Sequence, residues 1–171
     1  MVAFVFKAIK PAKLQVDKFR VAILDELRAE GVDQGKELKK TVTGWKGDKP
    51  KFESLIGLDS QGASVATGPT GSDKGVQKWV WLDEGTRAHV IRARRARRLR
   101  FRSGGFRAKT SVGKFESGAG RAASGPYRFP LSVQHPGTKA RGWSALLSKR
   151  RKEPFRRRLF AAMNKAAQEA F

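Results

Sequence analysis

Trp79-Val80-Trp81-Leu82-Asp83-Glu84-Gly85-Thr86-Arg87-Ala88-His89-Val90-Ile91 is the stretch on which the fold turns. Residues 76–82 carry apolar side chains on both faces, which predicts a strand at the centre of a sheet. Gly85 then opens a turn, and the Thr86 hydroxyl can hydrogen-bond within it. A second stretch has the same form: Val133-Gln134-His135-Pro136-Gly137-Thr138-Lys139-Ala140-Arg141. Each reads as a strand, then Gly-Thr, then a basic residue. Two strand-ending turns account for both, and nothing catalytic follows from them.

The pattern on either side predicts helices and short strands. Residues 2–9 read as a first strand, broken at Pro11. Over 12–30, Val16, Phe19, Ile23 and Leu27 recur at helical spacing and form one buried stripe. Gly31 is the expected C-cap, and Asp33 the N-cap of a second helix over 33–43. Gly44-Trp45-Lys46-Gly47-Asp48-Lys49-Pro50 is a break. Phe52, Ile56 and Leu58 share one face of a strand that pairs, as a hairpin, with residues 63–67. Gly68-Pro69-Thr70-Gly71-Ser72 is a loop. Leu99-Arg100-Phe101-Arg102 alternates, which predicts Leu99 and Phe101 inside and Arg98, Arg100 and Arg102 outside. Residues 103–128 form a long glycine-rich loop. Residues 129–133 are a last strand, placed at an edge by Pro130. A short helix over 144–152 follows, then a terminal helix with Pro154 in its first turn. Phe155, Leu159, Ala162, Met163, Ala166 and Ala170 make the terminal helix's stripe. The fold class expected is α+β: a mixed, mainly antiparallel sheet packed against a long N-terminal helix and a C-terminal helix. A length of 171 residues suits one domain with its own core.

There is no cysteine, hence no disulfide framework and no thiolate metal site. No apolar run reaches the ~20 residues of a membrane helix. The opening residues are too short for a signal sequence.

The net charge is +22, and it is unevenly placed. Residues 1–86 carry a net of +2, with 14 basic and 12 acidic side chains. Residues 87–171 carry +20, with 23 basic and 3 acidic. Such a field calls for an anionic partner: nucleic acid, an acidic protein face or an anionic membrane. Between Arg87 and Phe115 there are 11 basic residues and no acid. Arginine dominates there, which suits bidentate contacts to phosphate or carboxylate. The candidate anion- or partner-binding residues are Arg92, Arg94, Arg95, Arg97, Arg98, Arg100 and Arg102. Arg150, Arg151 and Arg157 join them from a second basic cluster on the C-terminal helix. Phe101, Phe106 and Phe115 read as core or loop anchors rather than as stacking platforms.

His89 and His135 are the only histidines. With Asp83 or Glu84 they match no established zinc spacing, and each is expected to hydrogen-bond the backbone of its turn. Glu116, Glu153 and Glu169 lie too far apart in sequence to assemble a two-metal nuclease site. No metal, cofactor or catalytic residue is expected.

Thr43-Gly44-Trp45, Lys49-Pro50-Lys51-Phe52, Gly85-Thr86, His89, Ile91, Leu99-Arg100-Phe101, Val133, His135-Pro136-Gly137 and Arg141 occur in an order that resembles the neck and tail-completion family of long-tailed bacteriophages. The resemblance spans residues 40–171. It implies a structural virion component at the head–tail joint, made in the host cytoplasm. It also implies a homo-oligomeric ring, with a hexamer favoured, that contacts other neck and tail proteins. The basic face would then meet an acidic neighbouring ring or the genomic DNA. The resemblance implies no enzymatic activity and no cofactor. The arginine density over 94–102 exceeds the family's pattern, so the family assigns it no role. The alternative reading is a sequence-independent nucleic-acid-binding protein.

Overall fold

The computed structural model describes residues 16–59, 62–116, 118 and 120–169. The strand expected over 2–9 lies outside them. The elements are α1 (Val16–Val42), β1 (Lys51–Asp59), β2 (Gly62–Thr70), α2 (Asp73–Glu84), β3 (His89–Arg92), β4 (Phe101–Arg102), β5 (Tyr127–Arg128), β6 (Ser132–His135) and α3 (Trp143–Gln168). The class is α+β. The strands pair antiparallel as β1–β2, β3–β6 and β4–β5.

α1 is one helix where two were expected. Gly31 does not cap it; the residue is buried where β1 crosses the helix. A Cβ there would stand 2.7 Å from the Ser54 hydroxyl oxygen, so glycine is what lets the hairpin approach. Asp33, expected to cap a second helix, instead turns its carboxylate to Arg151 and Arg158. The buried face runs Ile23, Leu27, Glu30, Leu38 and Val42, a helical stripe, whereas Val16 is exposed and Phe19 half-buried against expectation.

The β1–β2 hairpin holds the expected face in part: Phe52 is buried and Leu58 half-buried, but Ile56 is exposed. Its register runs from Lys51↔Thr70 to Asp59↔Gly62, so β2 takes in the Gly68-Pro69-Thr70 stretch expected as loop. Pro69 is accommodated because a two-stranded ribbon keeps a free edge on each strand.

The central strand expected over 76–82 is a helix. Ser72 caps α2, its hydroxyl accepting from the Gly75 N–H at 3.3 Å. Gly75, Trp79 and Asp83 form its buried stripe at four-residue spacing, while Trp81 stays exposed. A strand would have put Trp79 and Trp81 on one face. The signals for the helix were Ser72 with Asp73 in the first turn and Gly85 just past the end.

α3 is likewise one helix, and Pro154 lies inside it rather than in a first turn. Its N-cap position, Gly142, is left-handed and offers no side chain. Asp83 does the capping from α2: its carboxylate accepts from the Ser144 N–H at 3.2 Å and from the Ser144 hydroxyl.

The core gathers where α1, β1, α2 and α3 meet. Trp79 stands edge-on to Phe52 and tilted against Trp143, each with ring centres 5.6 Å apart. The Trp79 indole N–H donates to the Thr41 hydroxyl at 3.0 Å, and that hydroxyl donates to the Leu38 carbonyl. Leu38, Val42, Trp45, Phe115 and Leu147 complete the cluster.

A buried ion network joins α1 to α3. Glu30 is fully buried, and Arg151 grips it with two bonds of 2.9 and 2.7 Å. Arg158 reaches the same carboxylate at 2.6 Å, and both arginines also reach Asp33. Arg151, expected among the partner-binding residues, is half-buried and spends its guanidinium on Glu30 and Asp33. The Arg151 guanidinium holds the Asp33 carboxyl below its ordinary value. Glu30 in turn pushes Arg151 upward.

Removing one member of a buried charge group strands the others. Arg151→Ala is therefore expected to cost about 3 kcal/mol in a urea melt, Arg158 keeping part of the compensation. Because the folded Asp33 carboxyl is depressed, its contribution is complete at neutral pH and is lost as pH falls below its ordinary value of 3.8. Arg151→Ala should flatten that acid limb. Parallel stability-against-pH curves for the two proteins would show that the network does not act this way.

Candidate functional site

The chain leaves the helical body after α2 at Gly85 and rejoins it at Gly142. Between these points it doubles back on itself as a β arch. At the base, the two Gly-Thr turns face each other. Thr86 and Thr138 exchange backbone bonds of 2.9 and 3.1 Å, and the Thr86 hydroxyl accepts from the Thr138 N–H at 2.9 Å. The twin motifs are thus two halves of one clasp. Both glycines need their freedom: φ is +81° at Gly85 and +88° at Gly137. A Cβ at Gly137 would overlap the Thr86 carbonyl oxygen, and one at Gly85 would come 2.6 Å from the Thr138 carbonyl oxygen.

Above the clasp β3 pairs with β6, and His89 stands opposite His135 with ring centres 5.0 Å apart. Each histidine bonds its own turn, as expected. His89 Nδ1–H donates to the Arg87 carbonyl at 2.9 Å, while His135 Nδ1 accepts from the Gly137 N–H at 3.1 Å. When neutral, the two rings are therefore opposite tautomers.

Beyond Arg92 the pairing breaks and resumes out of step. Residues 93–98 bulge out of one strand, while only Leu131 separates Pro130 from Ser132 on the other. The bulge carries Arg94, Arg95, Arg97 and Arg98, and all four are exposed. Pairing resumes where the Leu99 N–H donates to the Pro130 carbonyl at 2.9 Å. It continues through β4–β5 to the Arg107↔Arg121 bridge. The last strand thus sits over Ser132–His135 rather than over 129–133.

The alternation expected at 99–102 holds, but its burial does not. Leu99 is only half-buried, and Phe101 is 39% exposed. A two-stranded ribbon with nothing stacked on it has no inside for them. Arg100 and Arg102 do share the other face, where both guanidinium groups lie against the Tyr127 ring at 4.5 and 4.7 Å. Phe129 is beside Tyr127, ring centres 6.3 Å apart. Arg98 donates to the Phe129 carbonyl at 3.2 Å. Tyr127 and Phe129 were missed in the sequence; their signal was the spacing of two, matched by Arg100 and Arg102 across the ribbon.

The far end of the arch returns to the body, so the stretch expected as an open loop is tied down. Phe115 joins the core as a loop anchor, whereas Phe106 is 76% exposed. The Trp143 indole N–H donates to the Lys114 carbonyl at 2.7 Å, and Arg141 Nε–H donates to the buried Thr110 hydroxyl at 3.2 Å. Arg141 therefore fastens the arch. Between its two anchorages, β3–β6 and β4–β5 pack on their own partner strands and on no other element to any extent. Val90, Ile91, Tyr127, Phe129 and Leu131 are left exposed.

Arg92 joins the exposed arginines of the ribbon, and Arg157 is exposed on α3. Arg150 lies over the Phe115 ring at 5.2 Å. Among the described residues no group of three or more metal-binding side chains occurs. Asp83 is committed to the α3 cap. No family model, curated protein or solved structure matches the chain.

Gly137→Ala forces a side chain into a left-handed position against a carbonyl and is expected to cost more than about 1 kcal/mol. Hydrogen exchange should show the amides of Thr86 and Thr138 losing protection while those of α1 keep it. Unchanged protection at Thr86 and Thr138 would show that the clasp does not depend on this glycine.

Proposed function

We propose that the protein is a structural virion component of the head–tail joint of a long-tailed bacteriophage, assembling as a ring, with a hexamer favoured. It would act without enzymatic activity or a cofactor. The observation that carries this reading is that most residues of the family-like motifs, Leu99-Arg100-Phe101 excepted, fall in two places. Trp45 and Phe52 lie in the core. Gly85, Thr86, His89, Ile91, Val133, His135, Gly137 and Arg141 build the base of the arch and its first ladder.

The arch supports the same reading from its surface. A ribbon that exposes Val90, Ile91 and Leu131 among arginines leaves apolar area that a neighbouring subunit or tail protein can cover. Its net positive field steers an acidic partner toward it.

Deleting the gene from the phage should leave filled heads beside separate or abnormal tails in electron micrographs. Light scattering after gel filtration should give the purified protein, alone or with its partners, a ring-sized mass. Normal infectious particles from the deletion strain would end this reading.

A further inference from the structure

We propose that the Tyr127 face of the arch is a stacking site for single-stranded nucleic acid. The inference goes beyond the head–tail role and does not depend on it. Its ground is what that face contains. Tyr127 and Phe129, 44% and 52% exposed, sit side by side with Arg100 and Arg102 against the tyrosine ring. Arg98 crosses to the Phe129 backbone at the edge of the group. Exposed rings beside a basic track are what a single strand recognises: bases stack on rings and guanidinium planes while the cations follow the phosphates.

Each competing occupant fits less well. A second copy of the arch would bring its own arginines against these. Duplex DNA meets the charges, but its bases are already stacked and cannot reach the rings. An acidic protein would answer the arginines through its carboxylates and leave the two rings without a stacking partner. Nothing in the group is sequence-selective, since every base has a face to stack.

The test is fluorescence anisotropy on the full chain with a labelled oligothymidine of about a dozen nucleotides, and with a duplex of equal length, at matched salt. The wild type should bind the single strand more tightly. The double variant Tyr127→Ala/Phe129→Ala should lose about tenfold or more for oligothymidine while its duplex affinity changes little. Arg100→Gln/Arg102→Gln should weaken both and shallow the salt dependence. Both rings are exposed, so thermal melts should be unchanged. Tyr127→Trp, which keeps a ring, should retain binding and guards against an unfolded double variant. Polyglutamate at equal charge should compete poorly. The proposal falls if the ring variant binds oligothymidine like the wild type, or loses duplex and single strand alike. It also falls if polyglutamate competes as well as oligothymidine, which would assign the face to an acidic protein. Normal particles from a deletion strain would remove the joint reading and leave this result standing.

Discussion

Asp83 is the constraint on which the rest hangs. It ends one helix and begins another. Its buried carboxylate holds the first turn of α3, which Gly142 cannot cap for want of a side chain. In exchange, the carbonyls of Leu82 and Asp83, which α2 leaves unpaired at its C-terminus, accept from the Arg141 and Gly142 N–H groups at 2.9 and 3.0 Å. Each helix end thus satisfies the other's orphan groups, and the negative end of one dipole meets the positive end of the next. The same few residues fix both feet of the arch. With Leu82–Gly142 joined, Thr86 and Thr138 are delivered to each other in register, and the ladder above them follows.

The second constraint is electrostatic. A chain this basic needs its acids spent well, and α3 shows how. Arg151 and Arg158, seven residues apart, fall on one face and close on Glu30 and Asp33. Arg150 and Arg157, one residue earlier in each turn, point away. One helix therefore serves as both ion-paired interior and cationic surface. Not every atom is matched: Glu26 Oε2 and Arg158 Nε lack hydrogen bonds and face each other at 3.6 Å.

What could be read from the sequence was what depends on local pattern. The β1–β2 hairpin announced itself by period, and the class by its mixture of helical and strand-like stretches. The run Trp79-Val80-Trp81-Leu82 was expected as a strand and is a helix, because by period a short apolar run fits both equally. The cap at Ser72 decided it. Gly31 and Pro154 read as boundaries because their propensities say so, yet packing on Ser54 and the ion network carry both helices through. The two Gly-Thr turns were recognised as alike, but likeness says nothing of pairing: Thr86 and Thr138 meet between the Asp83 junction and the β3–β6 ladder. For the arginines, the sequence showed that they are many; only the fold separates Arg151 from Arg150. The rings at 127 and 129 were overlooked because exposure is a tertiary property, and aromatic residues default to the core.

The manner of anchoring decides what salt can do to this protein. A basic ribbon on a flexible tether would fold back onto whatever acids the body offers. Here the body also exposes Asp48, Glu53, Asp73 and Glu84, yet none of the ion pairs among the described residues joins the arch to them. The arch is held instead by a backbone clasp at Thr86 and Thr138, by Phe115 in the core, and by the Trp143 bond to Lys114. None of these is an ion pair between exposed groups, and apolar burial and backbone bonding are not screened as exposed charges are. Rising ionic strength therefore weakens what the arch binds while leaving how it is held intact. A cationic surface presented on a salt-insensitive frame keeps its geometry under the conditions that release its partner, which is what a reversible electrostatic contact requires.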